Sequence, residues 1–297
     1  MRKPNKNKSR AWRLIVKVSA LGKSRAYGKE CKLISSINTQ KSYQSAISQY
    51  LDWRDENNLP EREQDKFSDL TAFLSEISEI FMQQTVDQYT SALSIVFKKK
   101  LPKFKSEIPK NNQSRNYFLS EVLRIIKNLE SKNAIAILLC YFSGLRAHEI
   151  ATIRRLGEIK KSTSRKWSPD RFNLINSYKI YLVQGKGGLI REVAIPNELS
   201  EVIEKRRLET PVKVIDRGIY YETFYELGYG KALSQCFSRS SKKLLNWTTG
   251  LHGLRHSYAQ NRIYSLIDAG ISFNSSLKII SEELGHFRPK VTLCYLR

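Results

Sequence analysis

The stretch FKKKLPKFKSEIPKNNQSR, residues 97–115, constrains the fold of this chain more than any other feature. It contains Pro102 and Pro109, then a polar run from Lys110 to Arg115. Proline removes a backbone donor and ends helices, and a polar run resists burial. One continuous core through this segment is therefore disfavoured. A chain of 297 residues is also long for a single core. Two units are expected: a helical one over 36–100 and a larger one over 115–297, joined by a basic linker at 101–114. Residues 1–35 would form a basic arm or a further helix.

Charge is divided as unevenly as the elements. The chain carries a formal +23, yet residues 51–90 hold three basic and ten acidic side chains, net −7, which leaves +30 on the rest. Residues 1–30 contain ten Lys or Arg and one Glu, and residues 97–115 contain seven and one. Two basic clusters point to a polyanion, and clustered cations bind nucleic acid by releasing its counterions. Lys98, Lys99, Lys100, Lys103 and Lys105 are the expected DNA contacts, with the acidic face of 51–90 turned away. Neither cluster shows the sustained apolar stripe of a membrane-surface helix. No apolar run approaches the ~18 residues of a membrane span, and the basic N-terminus has no signal-peptide core. A cytoplasmic, nucleoid-associated protein is expected. The four cysteines lie far apart without CxxC spacing, so neither a zinc site nor a disulfide framework is indicated.

Periodicity supplies the elements. Tyr43, Ile47, Tyr50 and Leu51 share a helical face, and so do Tyr89, Leu93, Val96 and Phe97. Asp69 is the expected N-cap of a helix between them. In the larger unit, Ser120 is expected to cap a helix reaching Leu129, and a second helix runs over 133–142. Residues 178–184 and 189–196 alternate as strands around the turn Gly185-Lys186-Gly187-Gly188. Further helices are expected at 197–207, 234–245, 252–266, 275–284 and 288–297. The fold class is mainly α with a small antiparallel β-sheet.

Four histidines fall in three settings: SGLRAHEI (143–150), HGLRH (252–256) and LGH (284–286). His252 and His256 have the i, i+4 spacing of a zinc hydrolase, but Gly253 stands where the general-base Glu would be, and no carboxylate ligand is near. A P-loop and a GxSxG elbow are absent. What recurs is arginine: Arg146 and Arg255 each follow Gly-Leu. Two guanidinium forks can hold a phosphodiester and stabilise charge gained in a five-coordinate transition state, without a metal. Tyr295 could be the nucleophile, His252 or His286 could take its proton, and Lys186 could donate one to the leaving oxygen.

These motifs resemble the tyrosine recombinases, or phage-type integrases. That family shows TGxRxxE, a turn lysine in GKGxxxR, then HxLRH, LGH and a tyrosine nine residues on. Here SGLRAHEI, GKGGLIR, HGLRH and LGHFRPKVTLCY follow in the same order. The resemblance spans about 150 residues and implies a fold of a helical core-binding domain plus a catalytic domain. It implies that Arg146 and Arg255 clamp the scissile phosphate, and that Lys186 protonates the leaving 5′-hydroxyl. His252 would assist proton transfer at Tyr295, and His286 would hydrogen-bond the phosphate. Tyr295 would form a 3′-phosphotyrosyl bond that is later rejoined without ATP or any other cofactor. Glu149 would orient a basic neighbour, Arg191 would touch the DNA backbone, His256 would buttress the site, and His148 would simply be exposed. The 156–177 segment is longer than a link to the strands requires and is expected to contact DNA. The implied activity is site-specific recombination of a mobile element, by a homotetramer on paired duplex sites with DNA-bending accessory proteins. Many relatives continue past the tyrosine into a segment that docks on a neighbouring protomer. Only two residues follow Tyr295 here, so that contact would be missing or supplied differently, against the usual cyclic assembly. A relaxing topoisomerase with the same covalent chemistry, and a non-catalytic DNA-binding protein on the same scaffold, are the alternatives.

Overall fold

Two compact units divide the chain, Met1–Asn111 and Asn112–Arg297. The computed structural model describes residues 6–23, 25–59, 66–110, 112–185 and 187–296. The first unit is helical: α1 (Lys6–Lys17), α2 (Arg25–Glu30), α3 (Ile37–Glu56), α4 (Phe67–Ile80) and α5 (Gln83–Val96). Ser36 caps α3 by accepting from Thr39 N at 3.2 Å, which satisfies an otherwise orphaned helix donor. Ile47, Tyr50 and Leu51 are buried as the periodicity predicts. Tyr50 meets Phe73 and Phe97 edge-on at 5.3 and 5.4 Å, an arrangement favoured by the ring quadrupoles.

Three local expectations change in this unit. Asp69 does not cap α4; Lys66 occupies the N-cap, and Asp69 sits in the first turn, where its charge still complements the helix dipole. The 1–35 region contains two helices rather than one, and Ala11 and Ile15 of α1 lie in the core. The expected linker is partly folded. Leu101 joins the core, Ser106 Oγ donates to Phe81 O at 2.6 Å, and Glu107 N donates to Ser78 O at 2.9 Å.

The second unit begins with α6 (Leu119–Ile126) and α7 (Ser131–Ser143), followed by a 3-10 turn (Glu149–Thr152). Ser120 lies inside α6; Glu121 reaches back to accept from Phe118 N at 2.8 Å. Strands β1 (Arg154–Arg155), β2 (Tyr178–Gln184) and β3 (Ile190–Pro196) form an antiparallel sheet, in register Gln184↔Ile190 through Tyr178↔Pro196. After α8 (Asn197–Glu204), a second hairpin joins β4 (Arg207–Asp216) to β5 (Ile219–Tyr225). No strand is expected in this region from the alternation of its residues. Its signal was the Arg217-Gly218 turn, both residues at positive φ, between β-branched and aromatic runs.

Helices α9 (Gly230–Leu245), α10 (Gly253–Asp268) and α11 (Phe273–Glu283) complete the body. The expected 288–297 helix is only a short turn, α12 (Pro289–Thr292), continued as a 3-10 turn over Leu293–Tyr295. The main core gathers α6, α7, α9 and the inner face of β2–β3. A smaller one joins α10, α11 and Tyr295. The architecture is mainly α with small antiparallel sheets, and no described helix is long and apolar enough to cross a membrane.

Candidate active site

Two glycines shape the turns on which the site stands. Gly144 ends α7 in the left-handed region at φ 59°. A Cβ there would lie 2.7 Å from the Tyr258 ring, so both backbone and space call for glycine. The chain then turns sharply, burying Leu145 and projecting Arg146. Gly285 plays the same part after α11, at φ 72°, with Arg191 Cδ only 3.0 Å from where its Cβ would be. His286 follows it, and its N–H donates to Ser281 O at 2.8 Å.

These turns bring separated residues together. Arg146 Nη2 lies 3.1 Å from His286 Nε2, and Arg255 Nη2 lies 3.3 Å from the same nitrogen. Tyr295 Oη is 3.3 Å from it as well. Arg255 also donates to the carbonyls of Gly144 and Leu284, bridging the two turns, and its guanidinium lies 5.8 Å from the Tyr295 ring centre. The rings of His252, His256 and His286 surround Tyr295 at 5.5, 4.8 and 5.1 Å. His256 is buried.

Two guanidinium donors face His286 Nε2, so that nitrogen must carry the lone pair and Nδ1 the hydrogen. Nδ1 is buried and makes no hydrogen bond among the described residues. Burial, then the charges of Arg255 and Arg146, hold the His286 pKa well below its ordinary value. His252 keeps part of its ring open to solvent. Desolvation of the rest, followed by the Arg255 charge, lowers its pKa to about 3. Both rings are neutral at pH 7. Arg255 is pushed down to about 9 by burial and by Arg146, and still carries its charge at neutral pH.

Beneath them lies Glu149, fully buried. It accepts from Arg146 Nη1 at 2.7 Å, Arg146 N at 2.8 Å and Arg191 Nη2 at 2.8 Å. Burial alone would raise its pKa; Arg191, Arg146 and Arg255 overcome this and hold the carboxyl well below the usual range. Its stabilisation is present above the unfolded carboxyl pKa of about 4.3 and is lost as pH falls through the folded value. Glu149→Gln leaves Arg191 buried without a counter-charge, so a loss of about 3–5 kcal/mol is expected, read as a lowered denaturant midpoint at pH 7. Three guanidiniums against one carboxylate leave the site cationic, a seat for an anion.

Arg191 is a correction. It was expected on the DNA backbone, but it is 1% exposed, and its two terminal nitrogens donate to Glu149 and to Glu283 O. It supports the site from inside. His148 is half-buried rather than exposed, and burial lowers its pKa. Lys186 lies outside the described residues. Its turn nevertheless starts against the site, because a Cβ on Gly185 would lie 3.1 Å from Glu149 Oε1. Lys98, Lys100, Lys103 and Lys105 are exposed and Lys99 half-exposed on the helical unit. Among the described residues no group of three or more His, Cys, Asp or Glu could hold a metal ion.

Sequence reasoning missed a second buried cluster. Glu283 accepts from Arg262 (2.7 and 3.1 Å), Tyr258 Oη (2.9 Å) and Phe172 N (3.0 Å). Its signal was Glu282-Glu283 at a helix C-terminus, where the dipole disfavours anions and a buried cation must compensate.

No protein-family model and no curated protein sequence matches the chain. Solved structures do. The XerH site-specific recombinase bound to difH substrate, a pre-cleavage complex, is similar with a TM-score of 0.59 and 16% identity, over 100% of this chain and 94% of that one. A lambda integrase dimer bound to a COC′ core site gives 0.56 and 16%, over 98% and 76%. The Tn1549 transposon integrase in complex with transposon right-end DNA gives 0.53 and 15%, over 97% and 94%. The chain has the fold of these recombinases and integrases.

Proposed function

We propose that this chain is a tyrosine-type site-specific DNA recombinase that integrates or excises a mobile element. One observation carries the reading: Arg146, Arg255 and Tyr295, from separate elements, converge within hydrogen-bonding distance of a single nitrogen, His286 Nε2. The phosphodiester is seated between the two guanidiniums. Tyr295 Oη attacks phosphorus, forming the 3′-phosphotyrosyl bond as the bond to the 5′-oxygen breaks. The tyrosine proton passes to His286 Nε2, which lies 3.3 Å from the hydroxyl. Once protonated, Nε2 becomes a donor to the phosphate, which joins this role to the one implied by the resemblance. His252 closes the same side of the tyrosine and assists the transfer. Lys186 supplies the proton that the leaving 5′-oxygen needs. Rejoining reverses each step, so bond energy is conserved. Arginine forks and proton carriers suffice for the step, with the guanidiniums stabilising the charge that develops on phosphorus-bound oxygens.

The exposed lysines at 98–105 support duplex DNA as the partner. Four protomers on two sites, with DNA-bending proteins and a place at the nucleoid, complete the proposal. The test is a pool of nicked suicide duplexes with randomised arms, incubated with the protein and resolved on a denaturing gel. A covalent protein–DNA adduct that forms in chelator is expected; its absence from the whole pool would refute the reading. Exchange of strands between two selected sites separates a recombinase from a relaxing topoisomerase. Because the accepting histidine must be neutral and its pKa is depressed, the acid limb of the kcat/KM profile for cleavage should lie below pH 6.5. A limb at or above that value would remove His286 as the acceptor.

A further inference from the structure

The 156–177 segment, expected from sequence to contact DNA, is fastened inside its own unit at both ends of the site. Ser162 N donates to Ile190 O at 3.0 Å, and Ser162 Oγ accepts from Ile190 N at 2.9 Å. Those bonds extend the edge of β3 that β2 leaves free, beside the β2–β3 turn. Lys161 and Arg171 both hold Glu192 on the same strand. Farther along, Ser168 N donates to Glu282 Oε2 at 2.6 Å, Phe172 N to Glu283 Oε1 at 3.0 Å, and Arg262 Nη2 to Asn173 O at 3.1 Å. Glu282 and Glu283 end the helix that leads into His286.

Trp167 sits between these anchors. Its indole N–H donates to Ser162 O at 2.9 Å, and the Arg171 guanidinium lies 4.6 Å over its ring. Its ring meets Phe287 edge-on at 4.7 Å and 71°. Phe287 immediately follows His286 and has φ 53°, a left-handed conformation that a bulky residue adopts only when its surroundings impose it. His286 is thus gripped on one side through Glu282 and Glu283 and on the other through Phe287, by one segment.

We propose that residues 161–173 form a brace that positions His286, with Trp167 as the positioning residue acting through Phe287. The inference rests on the phosphotyrosyl chemistry proposed above. A side chain that works only through His286 must lose its effect once His286 is gone. A general structural lesion slows cleavage in any background.

The experiment is a double-mutant cycle on the full chain: wild type, Trp167→Ala, His286→Ala and the pair. Single-turnover cleavage is measured on the nicked duplex pool, with DNA affinity measured alongside. Trp167→Ala is expected to slow cleavage about tenfold or more, with affinity within about twofold of wild type. The pair should be no slower than His286→Ala alone, and Trp167→Phe, which keeps an edge-on ring, should recover most of the rate. Equal slowing in both backgrounds, or a loss matched by lost DNA affinity, overturns the brace. The second of these would make the segment a DNA contact. A readout independent of cleavage is the NMR titration of the His286 ring, which Trp167→Ala should move up toward its ordinary range; an unmoved titration also overturns the brace. Failure of wild-type protein to form any adduct strikes the recombinase reading instead, and the titration still judges the brace.

Discussion

Tyr295→Phe is expected to abolish covalent attachment to DNA while leaving the fold and DNA affinity near wild type. The substitution removes one oxygen. Ring burial in the small core with α10 and α11 is retained, as are the contacts with the three histidine rings. Among the described residues the hydroxyl lost has one hydrogen-bond partner, His286 Nε2 at 3.3 Å, so no strong buried network is broken there. If the tyrosine is the nucleophile, no other group stands in its place and adduct should fall below detection. Circular dichroism and a gel-shift titration on the same preparation check that fold and binding persist. Residual adduct at wild-type level would mean that another residue attacks.

The second large effect belongs to Arg255. Its side chain is 1% exposed and ties together the Gly144 and Leu284 carbonyls beneath the tyrosine. Arg255→Ala removes a preorganised cation from the place where charge builds up, and losing one such donor costs about 10²–10³ in rate. DNA binding should weaken little, because one phosphate contact among many is lost, and the salt slope should fall by about one. Arg255→Lys keeps charge but not the fork, so it should also be severely slowed. Affinity collapsing in step with cleavage would instead make Arg255 a general DNA contact. Arg146 is more open, with 22% of its side chain exposed, and in the proposed mechanism it is the guanidinium that an incoming phosphate would meet first.

The two positions show what was legible in the chain. Gly144-Leu145 and Leu284-Gly285 marked two turns, because a glycine at positive φ beside a buried leucine has a local physical cause, whereas the second Gly-Leu-Arg opens α10. The glycines at 185–188 marked the β2–β3 hairpin, with Gly187 and Gly188 at positive φ. What was not legible depended on which way side chains point. Arg191 was assigned to DNA by analogy, yet it shares strand parity with Val193 and Ile195, both buried. Alternation alone places it on the core face, and Glu149 is there to receive it. Glu149, expected to orient one basic neighbour, accepts from two arginines. Glu283 escaped notice because its partners, Arg262 and Tyr258, lie a helix away, and no local pattern announces a tertiary ion pair. The Arg207–Tyr225 hairpin was missed because Pro211 interrupts it and the register shifts between Arg207 and Val212, which weakens the period-two signal.

The most direct measurement is the chemistry of the adduct itself. Wild-type protein trapped on the nicked suicide pool is digested with trypsin and nuclease, and the modified peptide is sequenced by mass spectrometry. The account predicts a nucleotide linked through its 3′-phosphate to the tyrosine of the peptide spanning 291–297, with a free 5′-hydroxyl on the released strand. Attachment at any other residue, or linkage through a 5′-phosphate, would contradict it.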